Sequence, residues 1–174
     1  MGVFLVFFVF VFFIAVFVGI IKGIAQASKK SNDLYKAKAE YKADVAGNFT
    51  HIAGLPIPSG VEVGVFCTKE KIIIKKDTQE ISLDSSKITA IDSVKGKDIQ
   101  AQASGALAGG LLFGLTGALI GALGSSSTYM VITYESNGET KYITLDSEPT
   151  PGTVKKITDF YSSQLSEKTA HIEL

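Results

Sequence analysis

Arginine is absent from this chain of 174 residues, and all 17 basic side chains are lysine. Lysine is a point charge without the planar fork that reads phosphate or guanine in a bidentate way. The 17 basic residues are matched by 17 acidic ones. Zero net charge creates no global field that would draw nucleic acid to the chain. Cysteine is nearly absent too. With Cys67 alone, no intramolecular disulfide can form, which fits a reducing compartment. The only histidines are His51 and His171, and with Cys67 they give no spacing typical of zinc, so no metal site is expected. Serines are many, but no nucleophile-elbow motif surrounds one. Gly105–Gly110 lacks the Lys-Ser/Thr ending of a phosphate loop. No paired carboxylates stand out. These gaps predict a non-enzymatic chain with no cofactor and no evident small-molecule substrate.

Charge is also missing locally, in two places. Gly2–Ile21 holds large apolar residues, two glycines and one alanine. Twenty helical residues span roughly 30 Å, the thickness of a bilayer core. Residues 1–22 are therefore expected to form a transmembrane helix. Lys22, Lys29, Lys30, Lys36, Lys38 and Lys42 follow it and no positive side chain precedes it. The positive-inside rule then predicts a single-pass protein of a bacterial cytoplasmic membrane, N-terminus outside and the remainder in the cytoplasm. A cleaved signal peptide is the rival, because Ala25-Gln26-Ala27 resembles a cleavage site, but the run is too long and has no basic start. Residues 23–48 read as a helical stalk, with Leu34, Ala37, Tyr41 and Val45 at helical spacing and Gly47-Asn48 as its stop. Lys22, Lys29 and Lys30 are candidates for lipid headgroups, or else ordinary flanking charge.

From Phe49 onward short apolar runs alternate with turn signals. Strands are expected near Phe49–Leu55, Val61–Thr68, Ile72–Lys76, Glu80–Leu83, Ile88–Val94, Thr128–Glu135 and Thr140–Asp146. Asn137-Gly138 is a hairpin signal, because both residues tolerate positive φ. Thr150-Pro151 reads as the N-cap and first residue of a closing helix whose face carries Val154, Ile157, Tyr161 and Leu165. Seven short strands and one amphipathic helix predict a small barrel or split barrel plugged by its C-terminal helix.

The run from "HIAGLPIPSG" through "SLDSSKITAIDSVKG", a Gly-rich insertion, "YMVITYESNGETKYITL" and the final helix resembles bacterial pleckstrin-homology-like domains, akin to the PH and GRAM superfamily. The resemblance covers about residues 49–168 and implies a mainly β split barrel with a C-terminal helix and a glycine-zipper insertion, here 97–126, before the sixth strand. It leaves 169–174 as a tail. It implies a binding or scaffolding module and identifies no ligand. The loop that carries phosphoinositide-binding lysines in eukaryotic relatives is Pro56–Gly60 here, and it has none.

The second uncharged stretch is 99–134. On a helix, Ala106, Gly110, Gly114, Gly117, Gly121 and Gly124 share one face about 80° wide, at spacings that let two helices approach closely. If the flanking strands belong to one body, the segment must go out and return. A turn near Gly114–Gly117 makes a helical hairpin the expectation. Its use is membrane insertion, oligomer contact or pore formation, or simply covering an apolar face of its own domain. The expected partners are accordingly a lipid bilayer and either a second copy or a membrane protein. Two functional readings follow. One is a membrane-anchored PH-like scaffold that self-assembles or recruits partners. The other is an oligomeric membrane-active effector, a pore former or phage-related membrane protein.

Overall fold

The computed structural model describes residues 2–97 and 127–170. A long helix, α1 (Gly2–Glu40), is followed by β1 (Val45–Ala53), β2 (Glu62–Cys67), β3 (Lys71–Lys76), β4 (Gln79–Asp84), a 3-10 turn (Ser85–Lys87) and β5 (Ile88–Lys95). The described chain resumes with β6 (Thr128–Ser136), β7 (Glu139–Asp146) and α2 (Pro151–Ala170). All pairings are antiparallel, and the strand order is β4-β3-β2-β1-β7-β6-β5.

Alternation along each strand decides which side chains face inward. Phe49, Val63, Val65, Ile72, Ile74, Ile91, Met130, Ile132, Ile143 and Leu145 share one buried cluster with Val154, Ile157 and Tyr161 of α2. Each such side chain contributes about 1.5–3 kcal/mol by leaving water. Strand β3 is apolar on both sides, because Ile73 faces the other way and is equally buried. It meets Phe66 and Ala43, with Leu34, Ala37 and Tyr41 packed against them. The inward side chains of β2 and β3 thus belong to the cluster that includes α2, and the end of α1 packs on their outer side. A strand covered on both sides reads as a continuous apolar run.

The end of α1 is set by local backbone chemistry. Lys42 adopts φ 51°. Ala43 donates its N–H to the Lys38 carbonyl at 2.9 Å, and Lys42 donates to Ala39 at 3.1 Å. This pair of bonds is the Schellman motif, which satisfies the last carbonyls of a helix. Residues Val45–Asn48, expected to close a stalk running to position 48, are instead the first half of β1.

Three expectations are corrected. The split barrel does not form: the sheet is open, with β4 and β5 as its two edges, and their ends are joined through the 3-10 turn rather than by a ladder. Polar and charged side chains separate them, including Glu70, Lys71, Asp84, Lys87 and Ser136 around a cleft of about 430 Å³. Charges on edge strands oppose further pairing. The transmembrane anchor over residues 1–22 is overturned as well: among the described residues no helix is long and apolar enough to cross a membrane. Helix α1 runs unbroken through Lys22, Lys29 and Lys30 to the segment that packs on the sheet. With the anchor goes the single-pass placement in a bacterial cytoplasmic membrane, and the description of the chain as a membrane protein. The Gly-rich helical hairpin expected before the sixth strand lies outside the described residues.

The turns follow from residue type. Asn137 and Gly138 take φ 56° and 77°, as a type I′ hairpin between β6 and β7 requires. The β1–β2 loop is tied from within by buried His51. Its Nε2 accepts the Leu55 N–H at 3.3 Å, and its Nδ1 lies 3.0 Å from the Pro58 carbonyl, a pairing that places the ring proton on Nδ1.

Candidate functional site

A groove of about 390 Å³ runs along the seam where α1 crosses the outer face of β1–β3. Its floor exists because Gly64 has no side chain. A Cβ there would stand 3.0 Å from Cε2 and 3.1 Å from Cζ of Phe66. Beside Gly64 lies its partner across the ladder, Asn48 of β1, whose side-chain amide reaches the same floor. Leu34 and Ala37 of α1 and Phe66 of β2 form the apolar walls.

The rim is charged and balanced. Lys30 of α1 pairs with Glu62 of β2, clasping helix to sheet, and Lys76 pairs with Asp77 at the β3–β4 turn. Asp33 and Lys75 complete it. Tyr41 donates its hydroxyl to Glu80 at 2.7 Å, and that carboxylate, followed by burial, pushes the phenol's pKa upward. Lys75 stands 5.4 Å from the Tyr41 ring centre, and its pKa is raised first by the hydrogen bond to that residue. The lysine therefore stays charged and is held over the ring face. Cations that already face carboxylates do not make a phosphate pocket. An apolar floor with one amide and a mixed rim suits a peptide, which offers backbone hydrogen bonds and alternating side chains.

The other buried titratable groups are structural. Tyr161 of α2 donates to the Thr68 carbonyl at 3.0 Å and lies 3.5 Å from Ser85 Oγ, and burial raises its pKa. Burial likewise drives the Cys67 thiol upward, with Asp44 adding to it, so the sulfur is an unreactive core group. Among the described residues no cluster of His, Cys, Asp and Glu could hold a metal ion.

The residues singled out from sequence fall in different places. Lys22 and Lys29 are exposed on α1, and Lys30 is the clasp to Glu62. Ala106, Gly110, Gly114, Gly117, Gly121 and Gly124 lie outside the described residues. The groove itself was missed, although Gly64 inside an apolar strand run is the usual mark of a close approach or a space. Its other wall is a helix distant in sequence, which no local pattern reveals. No protein-family model matches this chain, and no curated protein matches it either.

Proposed function

We propose that this chain is a non-enzymatic, PH-like recognition module that recruits a partner by gripping an extended peptide segment in the α1–β2 groove. One observation carries the reading: the groove combines an apolar floor, an amide and a rim of paired charges in a single concavity. Small concave sites lined this way fix orientation with a few polar groups and gain affinity from apolar contact. The seven-strand order and the helix packed on one face support the pleckstrin-homology-like resemblance, apart from the open edge. In this role Asn48 pairs with a peptide group of the partner, and an aliphatic side chain settles over Gly64 against Phe66.

The test is selection of linear peptides from a display library on the full chain, followed by amide chemical-shift mapping with the selected peptides. The expected shifts cluster on Asn48, Gly64, Phe66 and Lys75. Asn48→Ala, which removes the side-chain amide from the floor, is expected to weaken binding at least tenfold while leaving the spectrum folded. Peptides that bind Asn48→Ala equally well, or shift residues elsewhere, would overturn the reading.

A further inference from the structure

Among the described residues, the large hydrophobic side chains that stand in water gather on one element. They are Val16, Phe17, Val18, Ile20, Ile21 and Tyr35, all on α1, and Phe17 and Tyr35 are the most open at 65 % and 68 %. Single exposed hydrophobics are ordinary, but several together on one helix mark an interaction surface. Their arrangement is regular. At about 100° per residue, Phe17, Ile21, Ser28, Ser31 and Tyr35 fall in one stripe about 80° wide, and all five are exposed. Their spacings of 4, 7, 3 and 4 residues are those of the two seam positions of a heptad repeat. The stripe is free of charge. The charged residues between its ends, Lys22, Lys29, Lys30 and Asp33, lie more than about 110° from its centre line. Nor does the stripe face the molecule's own sheet. Leu34, Ala37 and Tyr41, which pack with Phe66 and Ile73, are centred about 130° round the helix from it. The groove and the Lys30–Glu62 clasp lie on that other side, so the stripe is separate from the site already described.

We infer that this stripe is the seam of a parallel two-stranded coiled coil made with α1 of a second copy of the chain. A heptad stripe is covered by a helix of the same repeat, because a shared period keeps both seams facing each other as the helices wind. The covering helix must also be uncharged along its seam, since an ion set against Phe17 or Ile21 loses its water and gains no counter-ion. A second α1 meets both conditions at every height. In register, Phe17 faces Phe17, Ile21 faces Ile21 and Tyr35 faces Tyr35, while the short Ser28 and Ser31 let the two backbones draw close. Lys22, Lys29 and Lys30 lie away from the seam, so like charges are not brought together there. Each sheet sits about 130° round its own helix, on the outer flank of the pair. Antiparallel pairing fails on length. Setting Phe17 against the partner's Tyr35 would run residues 2–16 along positions 36–50 of the other chain, where the helix ends at Glu40. Parallel pairing keeps the two helices side by side.

Analytical ultracentrifugation of the full chain at micromolar concentration reads the assembly. The expected mass is that of two chains, and Phe17→Lys combined with Ile21→Lys is expected to weaken the dimer at least tenfold. Both positions are exposed and outside the core, so the β signal in far-ultraviolet dichroism is expected to stay unchanged. A single native chain, a mass of three or more chains, or a dimer indifferent to the double substitution would overturn the inference. A chain that stays single and binds phosphatidylcholine vesicles would assign the stripe to lipid and overturn it as well. Disulfide trapping reads the direction. Tyr35→Cys is expected to join two chains on mild oxidation, because facing seam positions lie within the roughly 7 Å between Cα atoms that a disulfide allows. Lys29→Cys, away from the seam, is expected to join at least tenfold more slowly. The native Cys67 is buried and does not compete. Tyr35→Cys chains that remain single, or equal rates at the two positions, would end the proposal.

Discussion

Two single positions expose how this backbone is held. Lys42 carries a side chain at φ 51°, where the β-carbon crowds the following carbonyl. Its hydrogen bonds belong to the backbone of the Schellman motif, so the side chain adds nothing to that closure. Lys42→Gly is therefore expected to raise stability by about 1 kcal/mol, read as a higher urea midpoint at unchanged slope. Cys67 acts through pH. The unfolded thiol ionises above about pH 8.5. The folded thiol, buried beside Asp44, keeps its proton to higher pH. The unfolded state then binds fewer protons, so stability is full below about pH 8.5 and falls above it by up to 1.4 kcal/mol per pH unit, at about that slope. Tyr161, also raised by burial, adds a second loss above about pH 10. Urea midpoints between pH 7.5 and 9.5 are expected to fall in the native chain and to flatten in Cys67→Ala. An equal fall in both would assign the effect to other groups.

At the scale of elements, α2 lies close against β1. A Cβ on Gly47 would meet Thr153 Cγ2 at 2.7 Å, so the glycine lets the helix lie on the strand. Thr150 strengthens the seam by donating its hydroxyl to the Asn48 carbonyl. Gly47→Ala is expected to cost about 1–2 kcal/mol by overpacking. Thr153→Ser removes the opposing methyl, and in the double variant about half of that loss is expected to return, measured as a coupling energy in a double-mutant cycle. The same seam shows what the sequence could and could not reveal. Thr150-Pro151 marks the start of α2 correctly because proline favours the first helical turn. The Thr150 hydroxyl nevertheless faces β1 instead of capping its own helix, since a tertiary acceptor lies within reach. Strand limits shift by a few residues at most, because alternation and Asn137-Gly138 are local signals. The end of α1 was missed because its stop is a lysine in a left-handed conformation, where glycine or asparagine is the usual mark. The open edge and the groove depend on which distant strands and helices meet, and periodicity is silent about that.

For the molecule as a whole, α2 packs on the inner face of the sheet and the end of α1 covers the β2–β3 part of its outer face. The hold of α1 rests on Leu34, Ala37 and Tyr41 against Phe66 and Ile73, with Tyr41 and Phe66 rings 5.0 Å apart and the Tyr41–Glu80 hydrogen bond beside them. The Lys30–Glu62 pair lies on the surface, where such pairs contribute at most about 1 kcal/mol. Apolar contact therefore decides whether the helix stays docked. Replacing Leu34 and Ala37 together by Asp places two unpaired charges against Phe66 and Ile73, and undocking relieves that cost. The inner core with α2 does not touch these positions, so the sheet itself is expected to persist. Trypsin reads the difference, since it cuts after lysine only where the backbone is free. In the native chain Lys36, Lys38 and Lys42 are expected to resist cleavage, whereas the double variant is cut there at least tenfold faster while its far-ultraviolet dichroism retains the β signal. Equal cleavage rates with an intact sheet would mean that α1 is not held by this contact, and the groove would then lose one of its walls.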